Sequence, residues 1–186
     1  MKFLLTTIIL FAASLIIECQ TYNLNLEKSS IRWTGKAAFS TYKLSGSLKA
    51  RIGHLTLSEE WKVTAGEVIV DMTSLNAEIK DLKKHLKSED FFHVKEYDEA
   101  SFLLGQYKEE GMCYEGVLTI KGVARPYTAQ LKLTEIGATI NLSGVLHIDR
   151  TTYGITYNSP TYFEKLKEQA IADEFDVELD LVFEKL

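Results

Sequence analysis

The chain has 186 residues, of which 46% are hydrophobic and 25% charged, and its formal net charge is −5. This composition excludes a chain that is disordered throughout, and the length is enough for one domain with a sizeable core. The acidic balance, and the lack of a basic cluster of the kind that follows a phosphate backbone, exclude nucleic acid as a partner. With only two prolines and no Pro-, Gly- or Ser-rich linker, the sequence predicts one domain.

Residues 1–19 have the layout of a secretory signal peptide, with a lysine near the start and an apolar run that ends at Glu18. The run is shorter than a comfortable membrane span, so an uncleaved anchor is the less favoured alternative. Lipidation of Cys19 is another alternative, which the bulky Glu18 disfavours. We therefore predict a signal peptide over 1–19, a mature domain over 20–186, and a periplasmic or secreted location.

A period of two in hydrophobicity predicts β-strands along most of the mature chain. The odd positions Ile31, Trp33, Gly35, Ala37 and Phe39 are apolar or small, and polar side chains separate them. The same alternation recurs over 68–72, 127–133, 140–148 and 177–183, and weaker candidates lie near 43–54, 101–107 and 114–120. About eight strands with short turns between neighbours indicate antiparallel pairing.

One helix is predicted over residues 77–87, with Asn76 as its N-cap and a buried stripe of Ile79, Leu82 and Leu86. About eight alternating strands with one inserted helix favour an all-β, closed antiparallel barrel, because closure removes unpaired strand edges.

The apolar strand faces are expected to point into the barrel. The opposite faces carry charged residues such as Arg32, Lys132 and Asp180, which do not suit a small barrel whose outer face meets lipid. A barrel of about eight strands can be filled by side chains or can hold one small ligand, and the sequence leaves both possibilities open.

Three segments, in order along the chain, resemble signature elements of the YceI-like family. Residues 85–92 read His-Leu-Lys-Ser-Glu-Asp-Phe-Phe, similar to the family's His-Leu-Arg/Lys-Ser-x-Asp-Phe-Phe. Residues 116–122, Gly-Val-Leu-Thr-Ile-Lys-Gly with Pro126 downstream, resemble a second element. Residues 148–155, Ile-Asp-Arg-Thr-Thr-Tyr-Gly-Ile, resemble a third. The resemblance covers essentially the whole predicted mature domain.

The resemblance implies a lipocalin-like barrel whose lumen takes long-chain amphiphiles, notably polyisoprenoids, and it implies a homodimer. An apolar tunnel would gain roughly 0.8 kcal/mol per buried methylene-sized unit with little polar recognition. We therefore expect an exported lipid carrier with a bound polyisoprenoid-type lipid and no other cofactor. Two alternatives remain: an isomerase or hydrolase acting on a sequestered lipid, and a filled barrel with an interaction or stress-response role.

Ten residues are predicted to line or close the ligand-binding lumen: Trp33, Phe39, Phe91, Phe92, Phe102, Leu118, Ile140, Leu142, Ile148 and Tyr153. An ordinary core role is the rival for each, because filled and ligand-lined barrels use the same residue types. His85 and Arg150 are the candidates for contact with a polar head group. For Arg150 we favour a backbone-bracing role, and for His85 a hydrogen-bonding role at the helix end.

No metal site and no catalytic residue are predicted. His85, Glu89 and His93 have a helical spacing that would align three zinc ligands. However, the composition of residues 88–90 is typical of the end of a helix. Members of the YceI-like family also normally have no histidine at the position of His93. The sequence also contains no Gly-x-Ser-x-Gly elbow and no Gly-rich loop that opens a helix.

Overall fold

The computed structural model describes residues 20–166 and 169–185; the predicted signal peptide, including Cys19, lies outside this range. The described part contains ten strands, an α-helix and a short 3-10 helix at Arg150–Tyr153. The strands are β1 (Gln20–Leu24), β2 (Ser30–Lys36), β3 (Lys43–Leu57), β4 (Val63–Ala77), β5 (Glu99–Lys108), β6 (Cys113–Ile120), β7 (Val123–Ala129), β8 (Leu131–Ile136), β9 (Thr139–Asp149) and β10 (Glu174–Lys185). The helix α1 (Lys80–Leu86) lies between β4 and β5.

All ten strands belong to one antiparallel sheet, and nine of them follow the order β7-β6-β5-β4-β3-β1-β10-β9-β8. The short strands β1 and β2 share the place between β3 and β10, since each of them pairs with both. The sheet closes into a barrel where β7, which pairs with β6, continues into β8, which pairs with β9. The predicted fold class, a closed antiparallel barrel with one inserted helix, is confirmed.

The strand count differs from the predicted eight for two local reasons. The predicted strand over 127–133 is broken at Gln130, so that its two halves pair with different neighbours. At this bend β9 comes very close, because a Cβ on Gly144 would lie only 2.7 Å from the carbonyl oxygen of Gln130. The second additional strand is β1, which precedes the first predicted strand.

The predicted start of the helix was wrong because β4 continues to Ala77. Asn76 and Ala77 pair with Ser47 and Gly46 of β3, and the backbone oxygen of Asn76 accepts a hydrogen bond from Trp33 Nε1 at 3.0 Å. Sheet pairing therefore outweighs the local capping preference of Asn76, as tertiary context commonly does.

The helix itself is shorter than predicted and has a narrower buried stripe. Ile79 is its N-cap, makes no side-chain capping bond and is exposed, whereas Leu82 is half-buried and Leu86 is buried. Across residues 20–166 and 169–185, no helix has the length and apolar character needed to span a bilayer.

The predicted apolar faces point into the barrel. Strand β9 buries Ile140, Leu142, Leu146 and Ile148, and β10 buries Val177, Leu179, Leu181 and Phe183. Phe39 is the exception among the predicted inward residues, because β2 ends at Lys36 and Ala37 makes only one bridge, to Ile171. Phe39 lies in the turn that follows, with 71% of its surface exposed, so its predicted place on an inward strand face was wrong.

Candidate functional site

Two neighbouring apolar cavities, which share part of their lining, occupy the barrel and the end of the barrel beneath α1. The inner chamber lies among the strands, and its lining includes Met72, Phe102, Leu118, Leu142, Ile148 and Leu181. The outer chamber lies between the barrel end, α1 and residues 169–172, and its lining includes Trp33, Leu75, Leu82, Phe91, Arg150 and Ile171. The inner and outer chambers have cavity volumes of about 80 and 190 Å³. A cavity needs roughly 10–15 Å³ to hold one water, so side chains do not fill the lumen.

The inner chamber is almost entirely hydrocarbon. Glu67 is the only ionisable residue in its described lining, and Ser101 is the only other polar one. A polar ligand group in this space therefore has few hydrogen-bond partners. Burying an unpaired polar group costs on the order of 2–7 kcal/mol. The chamber suits an apolar chain.

The outer chamber combines apolar walls with several polar side chains. Lys36, His85, Arg150, Gln169 and Glu174 all contribute to its lining. Pockets of this kind, apolar with a few polar groups, orient ligands that have one polar end. The surface that faces this chamber is nevertheless mainly apolar, so both chambers suit an apolar chain and the outer chamber adds a few polar groups.

Most of the predicted lining residues lie at the two chambers. Phe102, Leu118, Leu142 and Ile148 line the inner chamber, Trp33 and Phe91 line the outer chamber, and Phe92 lines both. Ile140 and Tyr153 are buried in the packed core and line neither chamber, and Phe39 is exposed in its turn. For Ile140, the alternation identified burial correctly but could not distinguish core from cavity wall. Tyr153 lies in the 3-10 helix, beyond the alternating segment 140–148.

Arg150 braces the backbone at the end of the barrel. Its Nε donates to the carbonyl oxygen of Ala172 at 3.0 Å, Nη1 to that of Ile155 at 2.9 Å, and Nη2 to that of Ile171 at 2.9 Å. The side chain is 2% exposed. These contacts match the bracing interpretation, because a planar guanidinium can serve several carbonyls that a point charge cannot reach together.

The charge of Arg150 sits in an unusual environment. Burial lowers the pKa of the guanidinium, and the nearby carboxylates of Asp173 and Asp149 act in the opposite direction. An Asp173 oxygen lies 3.5 Å from Nη2, and the guanidinium carbon lies 5.5 Å from the centre of the Phe91 ring. The cation is thus held by an aromatic face as well as by oxygen atoms.

An aromatic cluster surrounds the loop that follows α1. The ring centroid of His85 lies 5.3 Å from that of Phe91 and 4.5 Å from that of Tyr157, both in edge-on geometry. His85 Nε2 is buried and has no hydrogen-bond partner among the described residues. The predicted hydrogen-bonding role of His85 at the helix end is therefore wrong for this atom, and the imidazole acts as a packing ring.

The helical alignment of His85, Glu89 and His93 does not form. The helix ends at Leu86, and His93 has a left-handed backbone with φ of 47°. His93 instead lies 3.3 Å from the carboxylate of Glu96. In the described residues no three His, Cys, Asp or Glu side chains lie close enough together to hold a metal ion.

Sequence reasoning missed two residues at the junction of the chambers. Phe175 and Leu48 each line both the inner and the outer chamber. A signal for Phe175 was present, because it has the same parity as Val177 and Leu179 in β10. Leu48 lies in β3, whose register with β4 shifts between Ser47 and Lys49, and such irregularity obscures alternation.

A family model matches nearly the whole described chain, and curated relatives match parts of it. The family model of YceI-like domains matches residues 22–183. A UPF0312 protein of Photorhabdus laumondii is 34% identical over 96 residues, which are 48% of each chain. Protein YceI of Escherichia coli O157:H7 is 34% identical over 68 residues, 36% of each chain. These matched segments span less than half of the curated relatives' lengths.

Two solved structures share the fold. Burkholderia cenocepacia BcnA superposes with a TM-score of 0.68 at 23% identity, covering 86% of this chain and 98% of that one. A polyisoprenoid binding domain from Saccharophagus degradans also superposes with a TM-score of 0.68, at 14% identity over 90% of this chain and 99% of that one. At such identities the likeness establishes the fold alone. With the family match over nearly the whole described barrel, it follows that the chain belongs to the YceI-like domain family.

Proposed function

We propose that this protein is an exported carrier that holds a polyisoprenoid or a similar long-chain amphiphile in its lumen. The observation that carries the proposal is the unfilled apolar lumen formed by the two chambers. The polyisoprenoid binding domain from Saccharophagus degradans, which has the same fold, supports this ligand class. Export rests on the signal peptide predicted over residues 1–19.

The distribution of polar residues indicates how such a ligand would be oriented. The apolar chain extends into the inner chamber, because each buried methylene gains about 0.8 kcal/mol there. The polar end stays in the outer chamber, where Lys36 and Gln169 contribute polar side chains to the lining. The reverse orientation would leave the polar end in the nearly pure hydrocarbon of the inner chamber.

The positions of the histidine–carboxylate pairs favour binding over catalysis. In the described residues these pairs are His93 with Glu96 and His147 with Asp176, and neither pair lines a chamber. The His147 side chain is 71% exposed, on the outer surface of the barrel. A histidine–carboxylate pair that acted on a sequestered lipid would have to lie within reach of the ligand.

A single substitution in the inner chamber tests the proposal. Ala100 lines that chamber, and Ala100→Phe places a phenyl ring where the ligand chain would lie. Because each displaced methylene changes affinity about fourfold, we expect the affinity for farnesol to fall at least about tenfold. The matched control is Ala124→Phe, at an exposed position of β7, which should bind farnesol as the wild type does.

Isothermal titration calorimetry with farnesol delivered from cyclodextrin measures these affinities. Circular dichroism of each variant shows whether the barrel is intact. Equal binding by the wild type and by a folded Ala100→Phe variant would contradict the proposal, and so would a failure of the wild type to bind any prenyl chain.

A further inference from the structure

The two chambers meet at a wall made of three side chains. Leu48, Phe92 and Phe175 line both the inner and the outer chamber. The ring centroids of Phe92 and Phe175 are 6.2 Å apart with an interplanar angle of 77°, an edge-to-face contact. We call this pair of rings the constriction. A chain that occupied both chambers would run past these two rings.

Backbone interactions hold both residues of the constriction in place. The backbone N–H of Phe92 donates to the carbonyl oxygen of Leu86, the last residue of α1, at 3.1 Å. Phe175 pairs with Ile148 at the start of β10. The neighbouring Phe91 is buried and anchored beneath Arg150. The constriction is therefore fixed at its base, and its position along the lumen is defined.

The rings of the constriction border open space as well as core. Both Phe92 and Phe175 are only half-buried, and each lines both chambers while also packing against the core. Phe92 in addition contacts the ring of the buried Phe91, at a centroid distance of 5.9 Å. The edge-to-face contact joins the two sides of the constriction, so a threading chain has to break it, and contacts of this kind are worth about threefold to tenfold in an equilibrium constant.

We propose that Phe92 and Phe175 form a chain-length filter, so that the protein discriminates in favour of amphiphiles whose apolar chain extends past the constriction. This inference rests on the proposed lipid-carrier function. A chain that ends in the outer chamber leaves the ring pair closed and gains nothing from the inner chamber. A chain that extends past the constriction by one or two carbons gains only enough affinity to offset the broken ring contact, since each buried carbon raises the affinity about fourfold. Longer chains gain the full burial of the inner chamber.

The test uses linear primary alcohols whose chain grows by one carbon at a time from octanol to octadecanol, delivered from cyclodextrin and measured by isothermal titration calorimetry. For the wild type we expect the dissociation constant to fall about fourfold per carbon, to stay level over one or two carbons, and then to fall again. The level segment marks the chain length that reaches the constriction.

Variants at the constriction should change this curve in opposite directions. Phe92→Leu and Phe175→Leu should each remove the level segment, which tightens binding of the chains just beyond it about threefold to tenfold relative to octanol. Leu48→Trp narrows the passage, so it should weaken octadecanol at least about tenfold relative to octanol. The matched control is Phe102→Leu, which lines only the inner chamber and should keep the level segment at the same chain length.

The inference is overturned if the wild-type curve has no level segment, or if that segment persists unchanged in both Phe→Leu variants at the constriction. It is also overturned if Phe102→Leu removes the segment equally. If one of the variants Phe92→Leu, Phe175→Leu and Leu48→Trp fails to fold by circular dichroism, the other two still decide. Binding of all lengths without a break would contradict the filter alone, whereas no binding of any alcohol by the wild type would overturn both the filter and the proposed carrier function.

Discussion

Arg150 provides the sharpest test of how the end of the barrel is held together. Its guanidinium donates to three backbone carbonyls that have to stay close together: those of Ala172, Ile155 and Ile171. Arg150→Met keeps most of the side-chain volume but removes every donor. All three carbonyl oxygens then lose a charged partner, and they lie in buried or partly buried surroundings.

The expected loss follows from the number and kind of these bonds. A hydrogen bond to a charged group contributes about 1.5–3 kcal/mol. Two of the three carbonyls are only partly buried, so water recovers part of that contribution after the substitution. We therefore expect Arg150→Met to lower the free energy of unfolding by about 3–5 kcal/mol, a large fraction of the roughly 5–15 kcal/mol typical of a domain.

Urea denaturation followed by circular dichroism measures this loss, with Arg125→Met as the matched control. Arg125 also donates to a backbone carbonyl, that of Thr152 at 3.3 Å, but it is exposed, so its removal should change stability by no more than about 0.5 kcal/mol. A loss below about 1 kcal/mol for Arg150→Met, with farnesol binding abolished, would refute the bracing role and assign Arg150 to the ligand's head group.

Three further predictions follow from the structure. Gly46→Ala should destabilise the protein by about 2–3 kcal/mol in urea denaturation, because the new Cβ would lie 1.9 Å from a backbone oxygen of β4, whereas Gly35→Ala, with 3.8 Å to its nearest neighbour, should be tolerated. Asp71→Asn should flatten the loss of stability below about pH 4, because a hydrogen bond from Thr73 lowers the pKa of the folded Asp71 carboxyl, and that stabilisation disappears as the pH falls through the folded value. In a Trp61→Phe variant the fluorescence of the remaining Trp33, which lines the outer chamber, should change when farnesol binds.

Each of these predictions has an outcome that would contradict it. Equal stabilities of Gly46→Ala and Gly35→Ala would show that β3 and β4 can separate at no cost. An acid unfolding profile of Asp71→Asn that matches the wild type would mean that this carboxyl does not contribute to acid sensitivity. Saturating farnesol that leaves Trp33 emission unchanged, while binding is seen by calorimetry, would place the ligand away from the outer chamber.

The architecture could be predicted largely from periodicity. The alternation along β9 and β10 identified inward residues correctly, as Leu142, Ile148 and Leu181 show, because a strand with one buried face has a strict period of two. The same rule failed at Phe39, since periodicity does not show where pairing stops. It also failed at Asn76, whose capping preference was overridden by pairing of β4 with β3.

The division of the lumen could not be predicted, because it depends on contacts between residues distant in sequence. Phe92 comes from the loop after α1 and Phe175 from the start of β10, and nothing local brings their rings to 6.2 Å. The difference between core and cavity wall is likewise a matter of packing in three dimensions. Ile140 and Leu142 occupy equivalent positions in the alternation, yet only Leu142 lines a chamber.

The most direct test of the central claim is native mass spectrometry of the protein purified from its own host without detergent, followed by organic extraction and lipid analysis. We predict a mass excess that corresponds to one long-chain amphiphile per chain, with a prenyl lipid in the extract. A protein that is consistently ligand-free, and that takes up no added prenyl lipid, would contradict the account.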